Sequence, residues 1–305
     1  MNPSQLLLAL LLLTAPAFAS TPVLEASGAK VRLLAGGFRF TEGPACDRDG
    51  NVYFCDIPNN RINVWKWTGD LSLHRDNSGG ANGMHFDADG SLVICESGNR
   101  RVTRENSQGQ ITVLADKFEG KRLNSPNDLW ISPTGGIYFS DPRYGKADDL
   151  ELPTMQVYYL PPGGKPLRCV TTDLKRPNGL VGTPDGKKLY IADEGAGKVW
   201  SYDIARDGSL RNQELFVEQA CDGMTLDELG NVYLACNKVL IYSPTGQLLE
   251  QIPFPEQPSN LVFGGKDRKT LYVTARSSLY SLDMSVAGAH PPEPAKTTPV
   301  KNPVP

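Results

Sequence analysis

Five short phrases place an oxygen-bearing side chain beside a glycine or an acid: Glu42-Gly43-Pro44, Asn82-Gly83-Met84, Asn127-Asp128-Leu129, Asn178-Gly179-Leu180 and Asp222-Gly223-Met224. Each begins 11 or 12 residues before an apolar anchor, at Tyr53, Val93, Tyr138, Tyr190 and Tyr233 respectively. One Asn-Gly or Asp-Gly pair is turn chemistry, but five in a common phase form a set. A sixth member, at Ser259-Asn260 before Tyr272, is ambiguous by one residue. Every member offers oxygen, and none offers an imidazole or a thiolate. Such donors suit a hard divalent cation, with Ca²⁺ the first choice and Zn²⁺ or Mg²⁺ the alternatives. The charge fits as well, because Glu42 and Asp222 together balance one divalent ion. Left without a cation, two carboxylates about 5 Å apart repel by roughly 3 kcal/mol at an effective dielectric of about 20.

The phase comes from a repeated unit. An apolar strand, a tight turn and a second apolar strand ending in a small residue recur as Cys46–Asp56, Asp87–Glu96, Ser132–Asp141, Thr183–Asp193, Asp227–Ala235 and Lys266–Thr274. The anchors are spaced by 40, 45, 52, 43 and 39 residues. That is the length of one four-stranded propeller blade. A third strand follows in each copy, at Ile62–Trp67, Arg101–Glu105, Gln156–Leu160, Lys198–Asp203, Val239–Ser243 and Leu279–Asp283. The fold expected is all-β, a six-bladed β-propeller. The last copy has three strands and Ala29–Leu34 is a strand without a blade, so the two are expected to pair and close the ring. The five oxygen-bearing residues then sit where the innermost strands start and converge on the central channel. A β-sandwich of the same length is the alternative, but it does not require six repeats in phase.

Composition narrows the function. The chain of 305 residues has a net charge of −3, which provides no basic field for nucleic acid or anionic lipid. Thirty Gly and 24 Pro leave little room for long helices. Leu6–Leu13 is an unbroken Leu/Ala run, too short to span a bilayer, and Ala17-Phe18-Ala19 follows it. This pattern predicts a signal peptide over residues 1–19 and an exported protein, periplasmic or secreted. The propeller domain is expected over 20–285. Val286–Pro305, with six prolines, is expected to be a disordered tail. Of the six cysteines, Cys55 and Cys95 share a slot that Ser140, Ala192, Ala235 and Thr274 fill elsewhere, which reads as packed free thiols. Cys221 and Cys236 flank one hairpin and could meet; the sequence leaves their state open.

The phrases around Glu42, Ser125-Pro126-Asn127-Asp128, Pro177-Asn178-Gly179-Leu180, Asp222-Gly223-Met224 and Phe139-Ser140-Asp141-Pro142 resemble the SMP-30/gluconolactonase/regucalcin family, in order and over about 31–283. The resemblance implies a six-bladed propeller with one catalytic divalent cation that hydrolyses sugar lactones. It implies Glu42, Asn178 and Asp222 as metal ligands, Asp222 also as acid/base, and Asn127 as a substrate contact. In that scheme the cation polarises the lactone carbonyl. One departure is Ser125, where the animal branch of the family carries Arg. Asn82, in the same phase, and Asp141, closing a second strand, are further candidates for the site.

Other chemistries find less support. His85 lies in a strand behind Asn82, and His74 in a polar connection. No Gly-x-Ser-x-Gly elbow is present, and no Gly-Gly pair opens a helix as a phosphate loop requires. Beside a lactone-cleaving enzyme stand two other readings: an esterase or phosphotriesterase that keeps the site but changes the substrate, and a non-catalytic propeller that binds a sugar or a protein around a structural Ca²⁺. The expected partner is a small-molecule lactone, for a monomer or weak oligomer with no nucleic acid and no membrane span.

Overall fold

The computed structural model describes residues 24–289. The expected signal peptide and the tail beyond residue 289 lie outside these residues. Short strands dominate because the apolar positions alternate and each pair of strands is joined by a turn whose Asp, Ser or Thr caps its own backbone. Asp47, for example, accepts the amides of Asp49 and Asn51, each at 2.9 Å.

Among the described residues the strands form six four-stranded antiparallel sheets and one two-stranded hairpin, Lys117–Phe118 with Lys121–Arg122. The innermost strands of the six sheets are Thr41–Cys46, Ala81–Phe86, Leu129–Ile131, Pro177–Gly182, Met224–Leu226 and Pro258–Gly264, which define blades 1 to 6. The propeller expected from the repeats is the fold observed. Closure follows the expected route: Arg32–Gly36 pairs antiparallel with Ser278–Asp283 as the outermost strand of blade 6. This early strand lies two to three residues later than the sequence pattern placed it. The start of the expected tail is seated on the ring, since Gly288 donates to Arg268 O and Ala289 to Leu226 O, both at 2.9 Å.

Among the described residues there is one apolar cluster for each of the six junctions between neighbouring blades. The second strands supply their centres. Phe54, Ile94, Phe139, Ile191, Leu234 and Val273 are each fully buried. Each such side chain contributes about 1.5–3 kcal/mol, so the ring is held by side-to-side packing and its axis is left free for polar groups. The outermost strands are the exposed ones, as with Leu71–Asp76 and Leu210–Val217. No helix among the described residues is long and apolar enough to cross a membrane. All six cysteines are free thiols, and Cys55 and Cys95 are fully buried.

Candidate functional site at the channel axis

Each innermost strand begins with an irregularity in its pairing. The register shifts between Glu42 and Ala45, Ala81 and Met84, Pro177 and Leu180, and Pro258 and Asn260. In blade 3 Asn127 N bonds to Ser140 O at 2.9 Å and Ser140 N to Asp128 O at 3.0 Å, so two residues oppose one. Blade 5 repeats this with Asp222 and Gly223 opposite Ala235. An extra residue bends the strand and re-aims a side chain. Here it turns the first position of each phrase, and in two blades the second, away from the blade packing.

The second position is what lets the blades close on one another. A Cβ on Gly179 would lie 2.3 Å from Asp222 O, one on Gly43 1.8 Å from Asn82 O, and one on Gly223 2.0 Å from the Asn260 amide. Backbone bonds run around the ring in the same place: Gly83 N to Asn127 O at 2.7 Å, Gly179 N to Asp222 O at 3.0 Å, and Gly223 N to Ser259 O at 2.8 Å. Alignment of these contacts resolves the sixth phrase. Ser259 occupies the first position, and its hydroxyl bonds to the carbonyls of Thr41 and Thr274, at 2.7 and 3.0 Å. Asn260 occupies the glycine position.

Asp128 in blade 3 and Asn260 in blade 6 are thus the two non-glycine occupants of that position, and they meet. Asn260 Nδ2 donates to Glu42 Oε2 at 3.0 Å and approaches Asp128 Oδ2 at 3.5 Å. Asp128 also accepts the amides of Leu129 and Leu180. Sequence reasoning quoted Asp128 only as part of a motif. The signal that would have singled it out is an acid where the other blades have glycine.

Glu42, Asn178 and Asp222 fall in one electrostatic group. Burial holds the Glu42 carboxyl well above the usual range, and the charges of Asp222 and Asp128 add to the effect. Burial likewise pushes Asp222 up to about 7, opposed by a hydrogen bond from Asn178 and reinforced by Asp128. Asp128 itself is raised to about 6 by burial. Asn178 also donates from Nδ2 to the Tyr144 hydroxyl at 2.7 Å, and Arg176 lies over the Tyr144 ring at 5.0 Å. Tyr144 belongs to the 142–155 connection of blade 3, and no sequence motif marked it. That connection is tied down by Arg143 and Arg100, which both pair with Asp149.

Asn127 and Asn82 are buried at the same level of the ring, with Asn82 O taking the Cys55 thiol at 3.1 Å. Asp141 has a different occupation. It accepts the amides of Asn124 and Ser125, both at 2.7 Å, and so holds the chain that leads into Asn127. His85 is turned to its own strand, with Nδ1 at 2.8 Å from Phe86 O.

Among the described residues no three His, Cys, Asp or Glu side chains converge as a metal-ligating group. A cation at the axis must therefore draw on amide oxygens too, and the residues present fit that requirement. Buried carboxylates raise one another's proton affinity, amides stand beside them, and the positive charge of Arg276 lowers Asp222 only against stronger opposing effects.

Known proteins are similar to this chain in sequence and fold. The SMP-30/Gluconolactonase/LRE-like region matches residues 40–277. A gluconolactonase of Zymomonas mobilis is 33% identical over 281 residues, covering 80% of this chain and 78% of that protein. The structure of a gluconolactonase from Xanthomonas campestris is 33% identical, with a TM-score of 0.80 over 89% of this chain and 93% of that one. Regucalcin of Agrobacterium tumefaciens, described as a calcium-binding protein, shares the fold at 20% identity, with a TM-score of 0.73 over 86% and 96% of the two chains. With six blades in phase and the match spanning all six inner strands, this chain belongs to the SMP-30/gluconolactonase/LRE-like family.

Proposed function

We propose that this protein hydrolyses the ring ester of a sugar lactone of the gluconolactone type, as a lactone hydrolase that depends on a divalent cation. The observation that carries the reading is the group of buried, mutually repelling carboxylates, Glu42, Asp128 and Asp222, set among amides on the axis of a propeller of this family. Glu42, Asn178 and Asp222 would hold the cation, Ca²⁺ before Mg²⁺ or Zn²⁺ because every donor is oxygen. When bound, it supplies Lewis-acid stabilisation of the charge that develops on the lactone carbonyl oxygen.

The chain's own residues do the rest. Asp222 is the most accessible of the three carboxylates and accepts a proton at its carboxylate oxygen from the attacking water. Water adds to the carbonyl carbon, the ring C–O bond breaks, and the leaving alkoxide takes up a proton to give the open-chain hydroxy acid. Asn127 faces the substrate beside this carboxylate. Tyr144 holds the Asn178 amide by its nitrogen, which leaves the amide oxygen as the acceptor to present. Glu42 is kept in place by Asn260. An exported location, periplasmic or secreted, is part of this proposal and is supported by the leader pattern expected at residues 1–19.

The test is acid release on a panel of aldonolactones, aryl esters and a phosphotriester, with and without a chelator, for the wild type and Asp222→Ala. The wild type should turn over aldonolactones, lose that activity with chelator and regain it with Ca²⁺. Asp222→Ala should lower kcat/KM roughly 10³-fold while the protein stays folded. If the cation binds but no lactone is opened, the reading fails in favour of a binding propeller.

A further inference from the structure

Blade 5 differs from the other blades at one cross-strand pair. The residue just before each channel-facing position lies opposite the end of the second strand: Thr41 opposite Asp56, Ala81 opposite Glu96, Pro177 opposite Asp193, and Pro258 opposite Ala275. In three blades an acid at the second of these places ties down the chain entering the inner strand. Asp56 accepts the amides of Arg39 and Phe40, Asp141 those of Asn124 and Ser125, and Asp193 those of Lys175 and Arg176. Glu96 binds Arg75 and Arg101 instead. Blade 6 has Ala275 at that place and no carboxylate; blade 5 lacks the carboxylate too, and it alone carries two thiols at the pair, Cys221 and Cys236.

The register there is fixed from the neighbouring bonds. Met224 pairs with Leu234. Asp222 N bonds to Ala235 O and Ala235 N to Gly223 O, both at 2.9 Å, so the next pair outward is Cys221 with Cys236. It follows a hydrogen-bonded position and is therefore a non-hydrogen-bonded pair, the kind in which Cα atoms approach to about 4.5 Å. That separation lies within the range a disulfide spans, about 4.4–6.8 Å. Both residues are buried in the cluster between blades 4 and 5. The Cys236 thiol acts on the Cys221 thiol at close range and, together with burial, holds it well above the ordinary thiol range. By contrast, the thiols of Cys46, Cys55 and Cys169 donate to main-chain carbonyls.

We propose that Cys221 and Cys236 are a disulfide site, and that the bridge takes the place in blade 5 of the carboxylate clamp, holding the strand that opens with Asp222. The oxidant is a small-molecule disulfide. The thiolate of one cysteine attacks it, releases one thiol and forms a mixed disulfide. The thiolate of the other cysteine then attacks the protein sulfur, closes the bridge and releases the second thiol. Two protein thiols lose two electrons and two protons, and one disulfide is reduced to two thiols. Because both cysteines are covered by blades 4 and 5, closure belongs to the stage when the hairpin has formed and the blades have not yet packed over it.

The test is to refold the protein in a mixture of glutathione and glutathione disulfide, alkylate it in denaturant with iodoacetamide, and weigh it before and after digestion. Four alkylated cysteines and a non-reduced peptide joining Cys221 to Cys236 are expected. Six alkylated cysteines, or a bridge between other positions, would overturn the proposal. The oxidised wild type should melt about 5–10 °C above the reduced wild type, and Cys236→Ser should show no such difference. A bridged protein with an unchanged melting temperature would refute the clamp. Both readouts are independent of lactone turnover, so this result and that of the proposed activity fail separately.

Discussion

The six inner strands carry one backbone position in two versions. In blades 1, 2, 4 and 5 it is glycine, and the next blade occupies the space a side chain would need, with backbone at Gly43 and Gly179, with Asp128 and the Asn127 carbonyl at Gly83, and with the Asn260 side chain at Gly223. In blades 3 and 6 it is Asp128 and Asn260, which reach across the ring and come within 3.5 Å of each other. The two blades stand three apart in a ring of six, so their side chains meet over the axis. The same bulge thus serves as a packing contact four times and as an arm into the site twice. What decides between the two is how closely the next blade approaches.

That difference can be broken at both ends. The largest effect is expected for Gly179→Ala, whose Cβ would meet Asp222 O at 2.3 Å and Gly223 Cα at 2.8 Å, both backbone. We expect a loss of about 3 kcal/mol, read as a shifted denaturant midpoint, and a displaced Asp222 that ends activity. Asn260→Gly, which makes blade 6 like the majority, should cost only about 1–2 kcal/mol for its hydrogen bonds. It should lower kcat roughly tenfold by releasing Glu42. Equal stability losses in the two variants would show that the two versions of the position do not differ in kind.

A smaller effect is expected for Tyr144→Phe. It removes the acceptor that holds the Asn178 amide but leaves the ring under Arg176. Calorimetry should show Ca²⁺ bound several-fold more weakly, with the melting temperature of the metal-free protein within a degree or two of wild type. Unchanged affinity would remove Tyr144 from the site.

The smallest effect concerns the clamps. Burial raises the Asp141 carboxyl to about 7, against the two amides that it accepts and the charges of Arg100 and Arg143. The unfolded chain releases this proton near pH 4. Its contribution to stability is therefore complete below about pH 4, is lost as pH rises to about 7, and is flat above that. Melting curves across this window should fall more steeply for the wild type than for Asp141→Asn. Parallel curves would mean that Asp141 is ionised throughout.

Much of this was legible before any coordinates. The blade count follows from anchors 39 to 52 residues apart, because each unit must bury its apolar face against the next. The first positions of the phrases were legible for the same reason, since a residue type that repeats in phase has a geometric job. Asp128 was hidden because its departure from glycine matters only once the approach of neighbouring blades is known. Tyr144 was hidden because a 14-residue connection has no period from which to read a direction. The register of Ser259 and Asn260 was ambiguous because a one-residue bulge leaves no mark in a pattern of alternating side chains.

Local chemistry along the chain, in turn residues, strand alternation and a phase repeated six times, was enough to determine the propeller, its closure and the ring of oxygen donors. Only the tertiary structure decided which of those donors share a field, that blades 3 and 6 meet over the axis, and that Cys221 faces Cys236. Periodicity specifies how each strand packs on its neighbour in sequence. Contacts across the channel join residues more than a hundred positions apart, and their distances are settled by how the whole ring closes.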